Sequence, residues 1–237
     1  MVSKFQLGLS ENKNTHQLTQ IALTKHVRAI LLTFLAQIAL TDIVRAILLS
    51  ERIEIEKMDI LQETVAVYER LRKKRYRIIV DTGEDFTFTF QPANYHHLAG
   101  FQHLTDFRNI SSPKSKDRFY GSVKRQQLQT EYIQRSSSYH EIEERLHTFG
   151  YLEDILAEGE EKIIVEYDRS KLSSEIEAKY YLYKRVGSVF EGNVKYHILF
   201  IGSMNERFFP ATYIVEHSNI YMRDQNLHDC RIIHEEK

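Results

Sequence analysis

Residues 86–90 read Phe-Thr-Phe-Thr-Phe. Successive side chains of a strand point to opposite faces, so Phe86, Phe88 and Phe90 share one face and Thr87 and Thr89 the other. The run RIIVD ends at Asp81, and Thr82-Gly83-Glu84 between the two runs is turn-forming. This is a β-hairpin with one aromatic face that has to be buried.

The flanking segments carry a different period. In 57–74 the apolar residues Met58, Leu61, Val65, Tyr68 and Leu71 recur at helical spacing, and the segment ends in Arg70, Arg72, Lys73, Lys74 and Arg75, where a helix dipole favours cations. Pro92 is placed to open a helix over about 93–107. Residues 109–118 read as a loop, 119–134 and 139–157 as helices, and 161–167 as a strand. Ile176, Tyr180 and Tyr183 suggest a further helix over 173–185. Strands are expected at 195–201, 208–216, 220–223 and 231–234. Helices first and antiparallel strands last make an α+β pattern.

The chain has 237 residues, enough for one large domain or one domain with an extension. With 42% apolar and 27% charged residues it is not a disordered chain, and the single cysteine, Cys230, excludes an intrachain disulfide framework. Basic and acidic residues number 32 and 33, so no overall positive coat marks a nucleic-acid binder. Charge is nevertheless uneven. Residues 108–125 hold six basic residues against Asp117, and 141–168 hold ten acids against Arg145 and Lys162. The basic run is either a solvated face or a phosphate contact.

Near the N-terminus, LTQIALTKHVRAILL (18–32) recurs as LAQIALTDIVRAILL (35–49), with 12 of 15 positions identical. An offset of 17 residues turns a helix to leave the copies about 100° apart, so their apolar faces do not align on one straight helix. The segment is either a helix apolar on two sides or a hairpin bent near Thr33, and it serves either self-association through 18–49 or capping of the main core. The division expected is a helical extension over 1–57 and an α+β domain over 58–237. The longest uncharged run there, Ala29–Thr41, is 13 residues, short of the roughly 20 a membrane helix needs. No signal peptide is evident, so a cytoplasmic location without membrane contact is expected.

Metal spacings fail. His140 and His147 lie about 10.5 Å apart along a helix, too far to share a zinc, and His96/His103 fail in the same way. His103 with Asp106 gives only two ligands, and His228, Cys230 and His234 are spaced unlike any familiar site. No cofactor or metal is implied. No phosphate loop, nucleophile elbow or dinucleotide fingerprint is present. The adjacent His96 and His97 point about 100° apart on a helix, so one can pack while the other faces a cleft, and histidine suits proton transfer near neutral pH.

Four segments carry a resemblance. FTFTFQPANYHHLAGFQHLTDF resembles the "NFxHLxGxxxL" segment of the fourth group of phage-associated barnase–EndoU–colicin–RelE-like nucleases. SEIEAKYYLYK is similar to that group's "SxIxADYLLYK", taken as a helix. YHILFIG and FFPATYIVEHSNIYMRDQ resemble its closing strands, "YLFLxx…YFPxSFF…DKYIKxQ", and MDILQETVAVYERL its opening helix. Lys179 stands where the pattern has Asp.

The resemblance, over about 58–237, implies N-terminal helices packed on a curved antiparallel sheet. It also implies a metal-independent ribonuclease of toxin or mobile-element-conflict type, in which a ribose 2′-hydroxyl attacks its own phosphate. It implies His97 as base or acid, Lys184 as phosphate stabiliser, Thr212 as phosphate hydrogen-bond donor and His217 as the second proton-transfer group. His96, Tyr183, Arg223, Lys114 and Lys116 become RNA contacts. RNA and a cognate inhibitor protein are the partners expected. The alternative is an inactive RNase-like domain that binds RNA or protein in phage–host regulation.

Overall fold

A computed structural model describes residues 59–172, 174–188 and 192–236. The duplicated segment, its extension over 1–57 and the expected self-association lie outside the described residues.

Helix α1 (Ile60–Arg72) starts at Asp59, whose Oδ1 accepts the Leu61 amide at 2.8 Å. It buries Ile60, Leu61, Val65, Tyr68 and Leu71. The hairpin follows as β1 (Lys74–Val80) and β2 (Asp85–Thr89), with Ile78 opposite Phe86 and Tyr76 opposite Phe88. Gly83 holds the turn at φ +90°. Then come short helices: α2 (Asn94–Leu98), a 3-10 turn (Phe101–His103), α3 (Arg108–Ser111), α4 (Lys116–Lys124), α5 (Thr130–Ile133), α6 (His140–His147) and α7 (Tyr151–Ile155). Five strands complete the sheet: β3 (Gly159–Glu166), β4 (Tyr180–Val186), β5 (Lys195–Met204), β6 (Arg207–Glu216) and, as the last element, β7 (Asn226–Glu236). No helix among the described residues is long and apolar enough to cross a membrane.

All seven strands form one antiparallel sheet in the order β2-β1-β7-β3-β4-β5-β6. The last strand therefore lies between β1 and β3 and joins the two halves of the chain. The sheet curls until its edges meet. Phe86 of β2 stacks on Phe208 of β6 with ring centroids 4.1 Å apart. The helices cover one face, burying Tyr68, Tyr76, Phe90, Tyr95, Phe149 and Tyr213. The other face carries a smaller cluster of Val165, Tyr167, Tyr181, Ile198 and Phe200, against which Leu172, Ile176, Tyr221 and Met222 pack.

Several expected elements differ. Residues 174–179 form no helix and 180–186 are strand β4. Tyr180 and Leu182 enter the large core while Tyr181 enters the small one. A strand buried on both faces reads as a continuous apolar run, and in YYLY that run happens to include a helical spacing. Residues 220–222 form a 3-10 turn rather than a strand. The Glu216 carboxylate accepts the His217 and Ser218 amides at 2.9 and 3.0 Å and turns the chain there. The helix expected over 119–134 is two, α4 and α5, parted by Gln126 at φ 59°. The one over 139–157 breaks between α6 and α7, and the one over 93–107 breaks at Gly100. Residues 109–118 are partly helical, and 231–234 extend to the whole of β7.

Candidate active site

Helix α2 presents one histidine inward and one to a cleft. His96 is 1% exposed, and its Nε2 lies 2.7 Å from the Ile110 carbonyl. An enclosed ring has no surface to offer RNA, so His96 is a packing residue and not an RNA contact. His97 lines a cavity of about 1120 Å³ together with Gln102, His103, Arg145, Lys179 and Thr212. Thr212 reaches it from edge strand β6 beside a β-bulge: Phe200 pairs with Thr212 and Ile201 with Pro210, leaving Ala211 unpaired.

Two arginines and a lysine line this cavity, and two of the three have partners. Lys179 Nζ is 2.5 Å from Glu84 and Arg169 is 3.8 Å from Glu177. Arg145 has no ion pair among the described residues. It is 8% exposed, and its Nε and Nη1 are buried without a hydrogen-bond partner. Burial pulls its pKa down to about 10, which leaves it a cation at pH 7. A buried, unpaired charge is costly, and such groups call for a functional explanation. Gln102 Oε1, in the same lining, is buried and unpartnered too.

Gly100 makes room for Arg145. It sits at φ +84°, and a Cβ there would lie 2.7 Å from Arg145 Nη1 and 2.9 Å from Ile142 Cγ2. The glycine of the HLAG run is thus required by its own backbone and by the close approach of this guanidinium.

Both cavity histidines are neutral near pH 7. Burial lowers the His97 pKa to about 4, and the nearby Lys116, His96 and His103 push in the same direction. Lys116 Nζ donates to His97 Nε2, which places the ring proton on Nδ1. His103 is lowered by burial and by Arg145, with Glu141, 3.5 Å away, opposing. The arrangement offers an anion anchor, two neutral proton-transfer groups and a hydroxyl around one cavity. Among the described residues no group of three or more His, Cys, Asp or Glu is arranged to hold a metal ion.

The family model described as phage-Barnase-EndoU-ColicinE5/D-RelE like nuclease4 matches residues 60–237. The chain belongs to this nuclease family. No curated protein and no solved structure matches it. Substrates of a nuclease are nucleic acids, so an orphan guanidinium in the cavity has a natural ligand class in phosphate.

The structure divides the four residues carried over from the family motifs. His97 and Thr212 line the cavity, and Lys184 and His217 do not. Lys184 lies on β4, not on a helix. It pairs with Asp154 at 2.7 Å and covers the Tyr151 ring at 5.0 Å. It follows Tyr180 and Leu182 on the helix-covered face, whereas Thr212 lies in register with Phe200 of the opposite face. His217 Nε2 is 2.7 Å from Glu144, which also holds Lys195. Tyr183 packs against the small cluster, 6.4 Å from Tyr196 between ring centroids. Arg223 is exposed and donates to Asn219 at 3.0 Å. Lys114 lies in the loop before α4, and Lys116 touches His97.

Arg145 and His103 are the residues the sequence reading did not place in the site. A signal for Arg145 existed: in α6 and just beyond it, Ile142, Leu146 and Phe149 form the buried stripe, and Arg145 stands on it.

Proposed function

We propose that this nuclease cuts RNA by attack of a ribose 2′-hydroxyl on the adjacent phosphate, without a metal, as a toxin in conflicts between phages or mobile elements and their hosts. The observation that carries the reading is Arg145, a buried guanidinium without an ion pair among the described residues that lines one cavity with His97, His103 and Thr212. Arg145 and the Thr212 hydroxyl bind the phosphate and stabilise the charge that grows on it in the transition state. His97 takes the 2′-hydroxyl proton, and His103, protonated once the negative charge of the bound phosphodiester raises its pKa, supplies one to the departing 5′-oxygen. The free protein holds His97 poorly basic, with Lys116 on its lone pair. An incoming phosphodiester draws Lys116 toward itself, frees Nε2 and raises the His97 pKa by its own negative charge. Tyr183 is a stacking surface for a base next to the cavity, and Lys114 and Arg223 are backbone contacts.

The test is cleavage of a single-stranded RNA in the presence of a chelator, with the new ends analysed chemically. Cyclic-phosphate ends are expected, an all-2′-deoxy strand stays intact, and His97→Ala lowers kcat/KM by about 10²–10⁴. Expression in a bacterial host should arrest growth, and His97→Ala should relieve it. Binding of RNA without any cleavage would replace this reading with that of an inactive RNase-like adaptor.

A further inference from the structure

Beside the cavity, Arg108, Lys114 and Arg118 line a separate hollow of about 900 Å³ together with Ser112, Ser115 and Ser122. Its lining holds no acidic residue among the described residues. These three cations have no ion pair among the described residues. Elsewhere Arg70, Arg77, Lys124, Lys179, Lys184 and Lys195 each meet a carboxylate within 3 Å. Leaving three like charges together in one recess is unfavourable unless an anion joins them. Ser115 is the N-cap of α4, a nine-residue helix, so the positive end of that helix dipole adds to the field. Hydroxyls interleaved with cations suit the several acceptor oxygens of a phosphate better than the planar carboxylates of an acidic peptide.

The hollow is physically tied to the cavity. Lys116, one residue after the N-cap, reaches His97. One lysine side chain thus bridges the rim of the hollow and the proposed base.

We propose that this hollow is a second phosphate subsite, which holds the RNA backbone away from the bond that is cut. The proposal rests on the RNA reading above and adds Arg108 and Arg118 to the binding surface. It makes the protein favour a strand several nucleotides long over a dinucleotide, because only a longer strand spans cavity and hollow together.

The test uses the full chain and two fluorescent 2′-O-methyl RNA probes, of twelve and of three nucleotides, which bind but lack the attacking hydroxyl. Arg108 and Arg118 are exposed, so the double variant Arg108→Gln/Arg118→Gln is expected to fold normally. It should weaken binding of the twelve-nucleotide probe by about 10-fold or more and lower the slope of log K against log salt by about 1.4, two single-strand phosphate contacts. The three-nucleotide probe should bind both proteins alike. Equal salt slopes and equal affinities for the long probe would overturn the subsite. So would loss of binding to polyglutamate, rather than to the long probe, in the double variant, which would assign the hollow to an acidic protein. Because neither probe is cleaved, the outcome is independent of catalysis. A wild-type protein that shows the length effect yet releases no cyclic-phosphate ends would sink the cleavage reading and keep the subsite.

Discussion

At the scale of single residues, the candidate site turns on a buried charge that has no ion pair among the described residues. Arg145 occupies a position on α6 suited to an apolar side chain, between Ile142 and Leu146 on the buried face. Removing a buried, unpaired charge in favour of an apolar side chain of similar length is often neutral or stabilising. Arg145→Met is therefore expected to leave the urea midpoint unchanged or raise it by the equivalent of about 1 kcal/mol, while kcat/KM falls about 100-fold or more for lack of the anion anchor. A structural role for Arg145 would instead show as a clear loss of stability. Gly100→Ala should harm both properties. The new Cβ meets Arg145 Nη1 and sits at φ +84°, so a stability loss of about 1 kcal/mol or more is expected together with reduced cleavage. The HLAG run was visible in the sequence, but its partner Arg145 lies 45 positions after Gly100, and no local pattern connects them.

At the scale of elements, amphipathic pieces were legible and doubly buried ones were not. Helix α1 emerged from its apolar spacing, and the β1–β2 hairpin from its alternating phenylalanines and its glycine turn. Strand β4 did not, because burial on both faces removes the period-2 signal. The breaks inside the helical region were also hidden, since Gln126 adopts its positive φ without being a glycine. Long-range capping is another such feature. Asp59 caps α1 and also accepts the Thr130 amide at 2.8 Å and its hydroxyl at 2.9 Å, joining α1 to α5. Asp59→Ala should cost about 2 kcal/mol, the upper range for an N-cap, because Thr130 loses its partner as well. Chemical denaturation measures this directly, and a loss no greater than an ordinary cap would show that the α5 link contributes nothing.

At the scale of the whole molecule, the histidines set an acid limit on stability. Burial lowers both His97 and His197 to about 4 in the folded protein, and lowers His96 and His103 as well. Below their ordinary value of about 6.5 the unfolded chain takes up protons that the folded one refuses. Their contribution to stability is therefore complete above pH 6.5 and declines as the pH falls toward 4. The urea midpoint should drop steadily over that window. His197→Gln should flatten the drop, since it removes one of the groups responsible. Below that window, protonation of carboxylates such as Glu69, whose pKa is lowered to about 2 with burial opposing the hydrogen bonds from Tyr120, Lys124 and Arg72, continues the loss.

The sequence by itself determined the α+β class, the aromatic hairpin and the nuclease family through its four motif segments. Each of these is written in local spacing or in a short run of residues. Only the tertiary structure decided which motif residues share a cavity. It put His97 and Thr212 in the lining of one cavity, sent Lys184 and His217 to carboxylates elsewhere, buried His96, and brought in Arg145 and His103. Strand pairing is the reason: β7 inserts between β1 and β3, and the sheet curls until β6 meets β2. Positions far apart in the chain become neighbours through that closure, and no period or motif along the chain encodes it.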